Sequence, residues 1–247
     1  MKRILSLFDF SGAWGQPFAD NGWDVIAWDI KREEFMDINL LDSAETVLDM
    51  FEDVDGILAA APCTDFASSG AQYWKKKDLD GRTKQSVELV NQVFRLANLF
   101  KPSAPDYDGT FFWALENPVG RLNTLFPELE KPYYFNPCDF AGYLEPAPCI
   151  YQMLDIIRYK NGIGVTNEEN EFVIKWNAYN KRTGLWGEFN RNLIRKPITA
   201  VKTSAQGSFT QRLGGKSAKT KEERSITPEG FAQAFYEANK DHKIIVE

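Results

Sequence analysis

The chain has 247 residues, of which 29 are Lys or Arg and 35 are Asp or Glu, so its formal net charge is −6. The length is sufficient for one domain with its own hydrophobic core, and a composition of 43% apolar and 26% charged residues is typical of globular proteins rather than disordered or fibrous ones. No apolar stretch approaches the roughly 20 residues of a membrane-spanning helix, and the first residues lack a signal-peptide pattern, so no membrane partner is expected.

Cysteine and histidine usage restricts the chemistry further. The three cysteines, Cys63, Cys138 and Cys149, form no Cys-x-x-Cys pair, which disfavours a disulfide framework or zinc site and favours a cytoplasmic location. The single histidine, His242, disfavours Ser-His, Cys-His and His-metal chemistry, and no metal is expected. Catalysis would therefore depend on carboxylates, a thiol, backbone amides or a cofactor.

The first 121 residues alternate between strand and helix patterns. Short apolar runs predict strands at 3–10, 23–30, 55–61 and 111–115. Helical spacing and capping signals predict helices at 16–21, 42–51 and 83–100. Strands separated by helices indicate an α/β fold in which a mostly parallel sheet has helices on both faces.

The remainder of the chain has a different character. Short β-like pieces at 155–159 and 171–176 lie among prolines and aromatic residues, and the segment 202–222 has the composition of a loop. Thr227-Pro228 predicts a last helix with proline at its first position. The predicted organisation is a core at 1–121, a small irregular lobe at 122–223, and a final helix within 224–247 that returns to the core.

Positive charge is concentrated late in the chain. Residues 181–224 hold 11 Lys or Arg and three acids, a net charge of +8, which leaves −14 for the remainder. Such a segment is either a solvated charged face or a phosphate-binding surface, and its Trp186, Phe189 and Phe209 favour nucleic acid. The basic side chains expected to contact the nucleic acid are Lys181, Lys216, Lys219, Lys221 and Arg224.

The turn after the first predicted strand contains small residues around Gly12 and Gly15, which would let a ligand approach the backbone. The second predicted strand ends in Asp29, whose carboxylate could accept hydrogen bonds from the two hydroxyls of a ribose. A tight turn without a ligand and a helix-capping aspartate are the alternatives. Together, the two features favour a cofactor that contains adenosine.

Two further strand ends carry side chains that could take part in catalysis. Pro62-Cys63 follows the third predicted strand, and Glu116 follows the apolar run 111–115. A lone cysteine is often only a small buried apolar residue. However, the carboxyl ends of parallel strands meet at one edge of the sheet, where α/β proteins bind their ligands. We therefore expect Cys63 and Glu116 to converge in one site.

These motifs, in this order, resemble those of the S-adenosylmethionine-dependent DNA cytosine-5 methyltransferases. Phe10-Ser11-Gly12-Ala13-Trp14-Gly15 is similar to the family's Phe-x-Gly-x-Gly-Gly motif, with Trp14 in place of a glycine. Asp29 matches the ribose-binding acid, and Asp37-Ile38 resembles the segment beside the adenine. Pro62-Cys63 is similar to the catalytic Pro-Cys, and Glu116-Asn117-Pro118 to the family's Glu-Asn-Val.

The later motifs match less completely. Arg224-Ser225-Ile226-Thr227 resembles the family's Arg-x-Leu-Thr, and Asn180-Lys181-Arg182-Thr183 is nearest to its Gln-x-Arg-x-Arg. The family's late Gly-Asn-Ser motif has no counterpart. The region left for target recognition, 122–223, is short for this family, which suggests limited sequence discrimination.

The resemblance implies a Rossmann-like methyltransferase fold that transfers a methyl group from S-adenosylmethionine to carbon 5 of cytosine in DNA. Cys63, Glu116 and Arg182 would be catalytic, with Asn117 at the substrate. The residues implied to bind the cofactor lie at the strand ends, namely Phe10, Ser11, Gly12, Ala13, Trp14, Gly15, Asp29, Ile30, Asp37, Ile38 and Pro62. The target cytosine would be flipped out of the duplex. A monomer in a restriction-modification context is expected.

Three other functions retain part of this pattern. RNA or a free cytosine nucleotide could be the acceptor, although the basic segment disfavours the nucleotide. A non-catalytic DNA-binding protein on a methylase scaffold is a further alternative, and the presence of both Cys63 and Glu116 argues against it. A nicotinamide-dependent dehydrogenase would leave those two residues without a role.

Overall fold

The computed structural model describes six ranges of the chain, which are residues 1–31, 50–51, 53–101, 111–144, 178–200 and 225–241. The chain divides into two compact units. The first, called the sheet unit below, comprises Met1–Tyr134, Thr183–Arg191 and Ala238–Glu247. The second unit comprises Phe135–Arg182 and Asn192–Glu237. The division into 1–121, 122–223 and 224–247 stays a prediction.

Within the described ranges, six strands form one sheet in the order β2-β1-β3-β4-β6-β5. The strands are β1 Arg3–Leu7, β2 Asp24–Trp28, β3 Gly56–Ala59, β4 Phe112–Pro118, β5 Tyr133–Phe135 and β6 Thr183–Glu188. The pairs β1/β2, β1/β3 and β3/β4 are parallel, whereas β6 runs antiparallel to β4. This is a mostly parallel, Rossmann-like sheet, as the sequence predicts.

The described helices are α1 Gln16–Asp20, α2 Trp74–Leu79, α3 Arg82–Phe100, α4 Leu122–Leu125 and α5 Glu229–Asn239. Short 3-10 turns cover Ser68–Tyr73, Pro137–Asp139 and Ala141–Tyr143. Helix α3 is amphipathic and buries Val90, Val93 and Leu96. It begins after Gly81, whose φ of +83° is a backbone conformation that favours glycine.

Side chains alternate along each strand, so the strands present apolar residues on both faces of the sheet. Helices cover both of these faces. On one face, the ring of Phe18 in α1 stacks on Phe112 of β4, with 5.9 Å between ring centroids. On the other face, Leu5, Ile57 and Leu115 join the inner residues of α3 in one hydrophobic core. The predicted α/β architecture with helices on both faces is therefore confirmed.

The second unit has its own aromatic packing. Phe231 of α5 stacks on Phe135 at 4.1 Å and lies 5.8 Å from Phe140. Gly230 is required here because a Cβ atom at this position would lie 2.3 Å from the carbonyl oxygen of Phe140. The helix predicted after Pro228 is thus present and buries its aromatic face.

Sequence patterns predict the early elements to within a few residues but miss two strands. The predicted helices at 16–21 and 83–100 correspond to α1 and α3. Strands β5 and β6 are not predicted. The predicted helix at 42–51, the β-like pieces at 155–159 and 171–176, and the loop at 202–222 lie largely or wholly outside the described residues.

Candidate active site

In the sheet unit, Cys63 follows the carboxyl end of β3, and Glu116 lies in the neighbouring parallel strand β4, just beyond its last residue paired with β3. The register pairs Ala59 of β3 with Leu115 of β4, so Glu116 is the next residue of β4 and Cys63 lies four residues beyond Ala59. Both side chains are partly buried. The sheet therefore brings the predicted thiol and carboxylate to one edge, as expected for ligand sites in open α/β sheets.

Asn117 connects these two strand ends. Its side chain is completely buried, and its Nδ2 atom donates a hydrogen bond to the carbonyl oxygen of Ala61 at 3.0 Å. Its Oδ1 atom is buried and accepts no hydrogen bond within the described part of the chain. The contact with the substrate that the sequence suggests for Asn117 stays a prediction. The geometry shows that its side chain supports the backbone that leads to Cys63.

The first turn, defined as residues 8–15, is organised around the buried carboxylate of Asp9. This residue is 4% exposed, and its Oδ1 accepts hydrogen bonds from the Gly12 amide at 2.8 Å and the Ser11 hydroxyl at 3.0 Å. Its Oδ2 accepts hydrogen bonds from the Ser6 hydroxyl at 2.8 Å and the Trp14 amide at 3.3 Å. Among the described residues, these four donors are uncharged, and they hold the turn around one side chain.

The first turn leaves strand β1 through a sharp change of backbone direction. Phe8 has a φ of +59°, which is unusual for a residue other than glycine, and its amide donates to the Trp28 carbonyl at 2.6 Å. Trp14, which stands where the resembling family has glycine, is completely buried. Its ring therefore lies in the protein interior.

The end of β2 presents a carboxylate between exposed apolar groups. Asp29 is partly exposed, and its Oδ1 accepts a hydrogen bond from the Lys31 amide at 2.9 Å. Phe10 is 40% exposed and Ile30 is 75% exposed. The ammonium group of Lys31 lies 4.9 Å from the centre of the Phe10 ring. A carboxylate beside accessible apolar surface suits a ribose carrying a flat base. Asp37 and Ile38 lie outside the described residues.

The Cys63 segment, defined as residues 63–85, folds back over the sheet edge. The Cys63 carbonyl accepts hydrogen bonds from the amides of Phe66 at 3.1 Å and Ala67 at 2.9 Å, which closes a tight turn. Ala67 then pairs with Gly120. A Cβ atom on Gly120 would lie 1.8 Å from the Phe66 carbonyl oxygen, so only glycine allows this approach.

Asp65 anchors this segment from inside. It is 6% exposed, accepts a hydrogen bond from the Ser86 hydroxyl at 2.5 Å, and pairs with Lys77 at 3.0 Å. Lys77 also donates to the carbonyl oxygen of Thr64, the residue after Cys63. Burial opposes ionisation of Asp65, but the contacts from Ser86 and Lys77 outweigh it and lower the pKa of this carboxyl.

Arg121 completes the attachment. Its Nε atom donates to the Asp65 carbonyl at 2.9 Å, and its two terminal nitrogens donate to Asp78 at 2.9 and 2.8 Å. The guanidinium lies 4.7 Å from the ring centre of Trp74. Its hydrogen bonds, with one from Thr83, hold the pKa of Asp78 at about 2. A bidentate ion pair and a stacked ring thus fix α2 beside Cys63.

The structure tests the predictions for the basic segment 181–224 at only some of its residues. Trp186 and Phe189 are 4% and 7% exposed, so these aromatic rings pack inside the protein and are not available to stack on bases. Lys181 and Arg182 belong to the second unit and precede β6. Lys216, Lys219, Lys221 and Arg224 lie outside the described residues, so their contacts with DNA stay predictions.

Cys138 provides a contrast with Cys63. It lies in the second unit, is 8% exposed, and its Sγ atom is 3.3 Å from the Asn180 side-chain oxygen. Burial and the nearby Asp139 carboxylate raise the pKa of its thiol to about 11. At neutral pH it is therefore almost wholly protonated and a poor nucleophile.

Sequence reasoning missed three residues that shape the site. Asp9 was detectable as an acid directly after an apolar strand, which is the signal that identified Glu116. Asp65 and Arg121 carry no comparable local signal, because their partners lie 12 to 56 residues away in the sequence.

Among the described residues, no group of three or more potential ligands could hold a metal ion, and no helix is long and apolar enough to cross a membrane.

Sequence comparisons with known proteins find no match, whereas the comparison with solved structures does. No protein-family model matches the chain, and no curated protein matches it. Among solved structures, a protein encoded within an E. coli prophage and described as a DNA modification methyltransferase is similar, with 15% identity over 81% of this chain and a TM-score of 0.43. The match covers 53% of that protein, so this chain spans about half its length. A similarity at this level carries no information on activity or substrate.

Proposed function

We propose that this protein transfers a methyl group from S-adenosylmethionine to carbon 5 of cytosine in DNA, with Cys63 as the nucleophile. The observation that supports the proposal most is the parallel register of β3 and β4. It brings the Pro62-Cys63 and Glu116-Asn117 motifs to one sheet edge, tied by the 3.0 Å hydrogen bond from Asn117 to Ala61. The first turn follows β1, the strand next to β3 in the same sheet.

The residues at the ends of β1 and β2 fit the proposed cofactor. Asp29 offers a carboxylate for ribose hydroxyls, and Phe10 and Ile30 offer exposed apolar surface for an adenine. When bound, S-adenosylmethionine would supply an electrophilic methyl group on a sulfonium.

The chain's own residues would activate the base. Carbon 5 of cytosine is a weak nucleophile, so the Cys63 thiolate would first add to carbon 6 and form a C–S bond. Glu116 would hydrogen-bond the ring nitrogen and amino group, which stabilises the charge that develops during this addition. After carbon 5 gains the methyl group, loss of its proton to a base would expel the thiolate and restore the aromatic ring. Arg182 is the predicted cation that would assist at the cytosine.

Access to the base requires its removal from the duplex. A stacked cytosine cannot reach Cys63, so the target would be flipped out at a cost of a few kcal/mol. RNA and a free cytosine nucleotide remain alternative acceptors. Parallel assays of labelled methyl transfer to duplex DNA, RNA and dCMP separate them, with duplex DNA expected to be the substrate.

A duplex that carries 5-fluorocytosine tests the mechanism. Fluorine cannot leave carbon 5 as a proton does, so the reaction should stop at a covalent protein–DNA adduct that survives denaturing gels and requires S-adenosylmethionine. Cys63→Ala should abolish the adduct. Glu116→Gln should slow its formation by roughly 10²–10³-fold, the usual effect of removing one stabilising donor or acceptor from a reacting site.

Cys138 is the matched control, because it also follows a proline but has a pKa of about 11. Cys138→Ala should leave adduct formation unchanged. Methyl transfer that persists in Cys63→Ala, or an adduct mapped to another cysteine, would exclude the proposed mechanism.

A further inference from the structure

The Cys63 segment carries an excess of positive charge that its own acids do not neutralise. Residues 64–85 contain five Lys or Arg and three Asp. Each aspartate has a cation partner within 4 Å: Asp65 pairs with Lys77, Asp78 with Arg121, and Asp80 with Arg82. The acids of this segment are therefore all engaged.

Three lysines remain after this pairing. Lys75, Lys76 and Lys84 are exposed, and none has a carboxylate partner within 4 Å among the described residues. Lys76 acts only at longer range on Asp80, whose pKa is lowered chiefly by the hydrogen bond from Arg82. The three ammonium groups are thus available to an external anion.

Two of these lysines, Lys75 and Lys76, lie in a well-anchored helix, and the third, Lys84, lies in the first turn of α3. Helix α2 is held from inside by Lys77, which bonds both Asp65 and the carbonyl of Thr64, and by the Arg121 guanidinium over Trp74. Lys75 and Lys76 are neighbours of Lys77 in this helix but are exposed to solvent. The inner contacts therefore reach the residue next to Cys63, while the neighbouring cations face outward.

The same segment of the chain also exposes two large apolar side chains, one directly before α2 and one at its end. Tyr73 is 54% exposed and Leu79 is 81% exposed. An aromatic ring beside several cations is a usual combination on nucleic-acid surfaces, because phosphates pair with the cations and sugars or bases pack on the ring.

We propose that Lys75 and Lys76 of α2, together with Lys84 at the start of α3 and Tyr73 directly before α2, form a docking surface for the phosphate backbone of duplex DNA. These four residues are called the α2 face below. The inference rests on the proposed function and adds to it a DNA contact within the sheet unit. It does not depend on the basic segment 181–224. A free nucleotide would not need three separate cations, so the α2 face favours a polymeric acceptor.

The test is the salt dependence of duplex binding. Fluorescence anisotropy with a labelled duplex should be recorded between low and moderate salt for the natural chain and for a Lys75→Gln/Lys76→Gln/Lys84→Gln variant. A plot of log affinity against log salt concentration falls with a slope of about −0.9 for each phosphate contact. The slope of the triple variant should therefore be less steep by roughly 2–3. This variant should also bind DNA roughly tenfold or more weakly at low salt. Tyr73→Ala should weaken binding without changing the slope.

Two control variants separate location from net charge. Lys131→Gln removes an exposed lysine of the same unit, close to β5 at the far edge of the sheet, and should keep the natural slope. A triple Lys→Arg variant keeps the charge and should also keep the slope. The three single Lys→Gln variants, each expected to lose about 0.9, provide the test if the triple variant folds poorly.

An unchanged slope in the Gln variants, or an equal loss in Lys131→Gln, would overturn the proposed docking surface. In either case methyl transfer by the natural chain would still support the proposed function. The inference would be supported if the α2-face variants, but not Lys131→Gln, lose DNA affinity. Their affinity for S-adenosylmethionine, measured by calorimetry, should be unchanged.

Discussion

The turn after β1 and the segment after β3 each bury one aspartate at the same sheet, but the two aspartates are satisfied in different ways. Asp9 accepts its four hydrogen bonds from donors within residues 6–14, and none of these donors is charged. Asp65 depends on Lys77 and on Ser86 of α3, while Arg121 binds its carbonyl oxygen.

The two regions differ in how far apart in the sequence the contacting residues lie. The first turn can form from one short stretch of chain, because its acceptor and donors are neighbours in the sequence. The Cys63 segment reaches its geometry only when α2, α3 and the end of β4 are all packed, because its ion pairs connect these elements. Perturbations of the first turn should therefore stay local, whereas those of the Cys63 segment should spread to its neighbours.

The largest expected effect comes from Gly120→Ala. Its new Cβ atom would lie 1.8 Å from the Phe66 carbonyl, and because the obstacle is backbone, the Cys63 segment would have to shift. We expect a loss of about 3 kcal/mol in the free energy of unfolding, measured by chemical denaturation, and loss of the 5-fluorocytosine adduct. Gly70→Ala is the control, because nothing lies closer than 3.4 Å to the added atom. Similar stability of the two variants would contradict the close approach described here.

Asp9→Asn tests the first turn. The amide keeps one acceptor but replaces the other oxygen with a donor that faces the Trp14 amide or the Gly12 amide. We expect a loss of about 2 kcal/mol in unfolding free energy and weaker binding of S-adenosylmethionine. Ser11→Ala, which removes one partly exposed hydrogen bond, should have a smaller effect. Equal effects of the two variants would show that Asp9 is not the organising group.

Asp65→Asn tests the long-range attachment. The substitution leaves the Lys77 ammonium, on a side chain that is 11% exposed, without its carboxylate, and should cost about 1–2 kcal/mol. Adding Lys77→Gln should recover part of this loss, with a coupling free energy of about 1 kcal/mol in a double-mutant cycle. Additive losses would mean that the ion pair does not connect the elements.

The smallest effect is expected from Asp78, which lies at the surface. Arg121 holds the pKa of Asp78 at about 2, below its ordinary value of 3.8. A depressed pKa in the folded state means that the contact stabilises the protein above about pH 4 and that this contribution is lost as the pH falls towards 2. Asp78→Asn should therefore make the melting temperature less dependent on pH in this window and leave the pH profile between 5 and 8 unchanged. A changed profile above pH 5 would indicate another titrating group.

The accuracy of sequence-based prediction follows the same division into local and long-range contacts. Strand β3 and helix α3 are predictable because their apolar residues repeat with the period of the element that they form. Strands β5 and β6 are not, because β6 contains two glycines and is recognised only by its pairing with β4. Trp186 was interpreted as part of a nucleic-acid surface because it lies in a basic segment, but it is buried and donates a hydrogen bond to Asn123.

The sequence by itself determined the alternation of strands and helices in the first part of the chain and the acid after β2, because each of these depends on neighbouring residues. Only the tertiary structure decided how those ends are held. The contact from Asn117 to Ala61 and that from Arg121 to Asp65 each connect residues 56 positions apart. Likewise, the free charge of Lys75, Lys76 and Lys84 becomes visible only after each aspartate of the Cys63 segment has found its cation. Pairing of this kind is set by packing in three dimensions, and no local pattern in the chain encodes it.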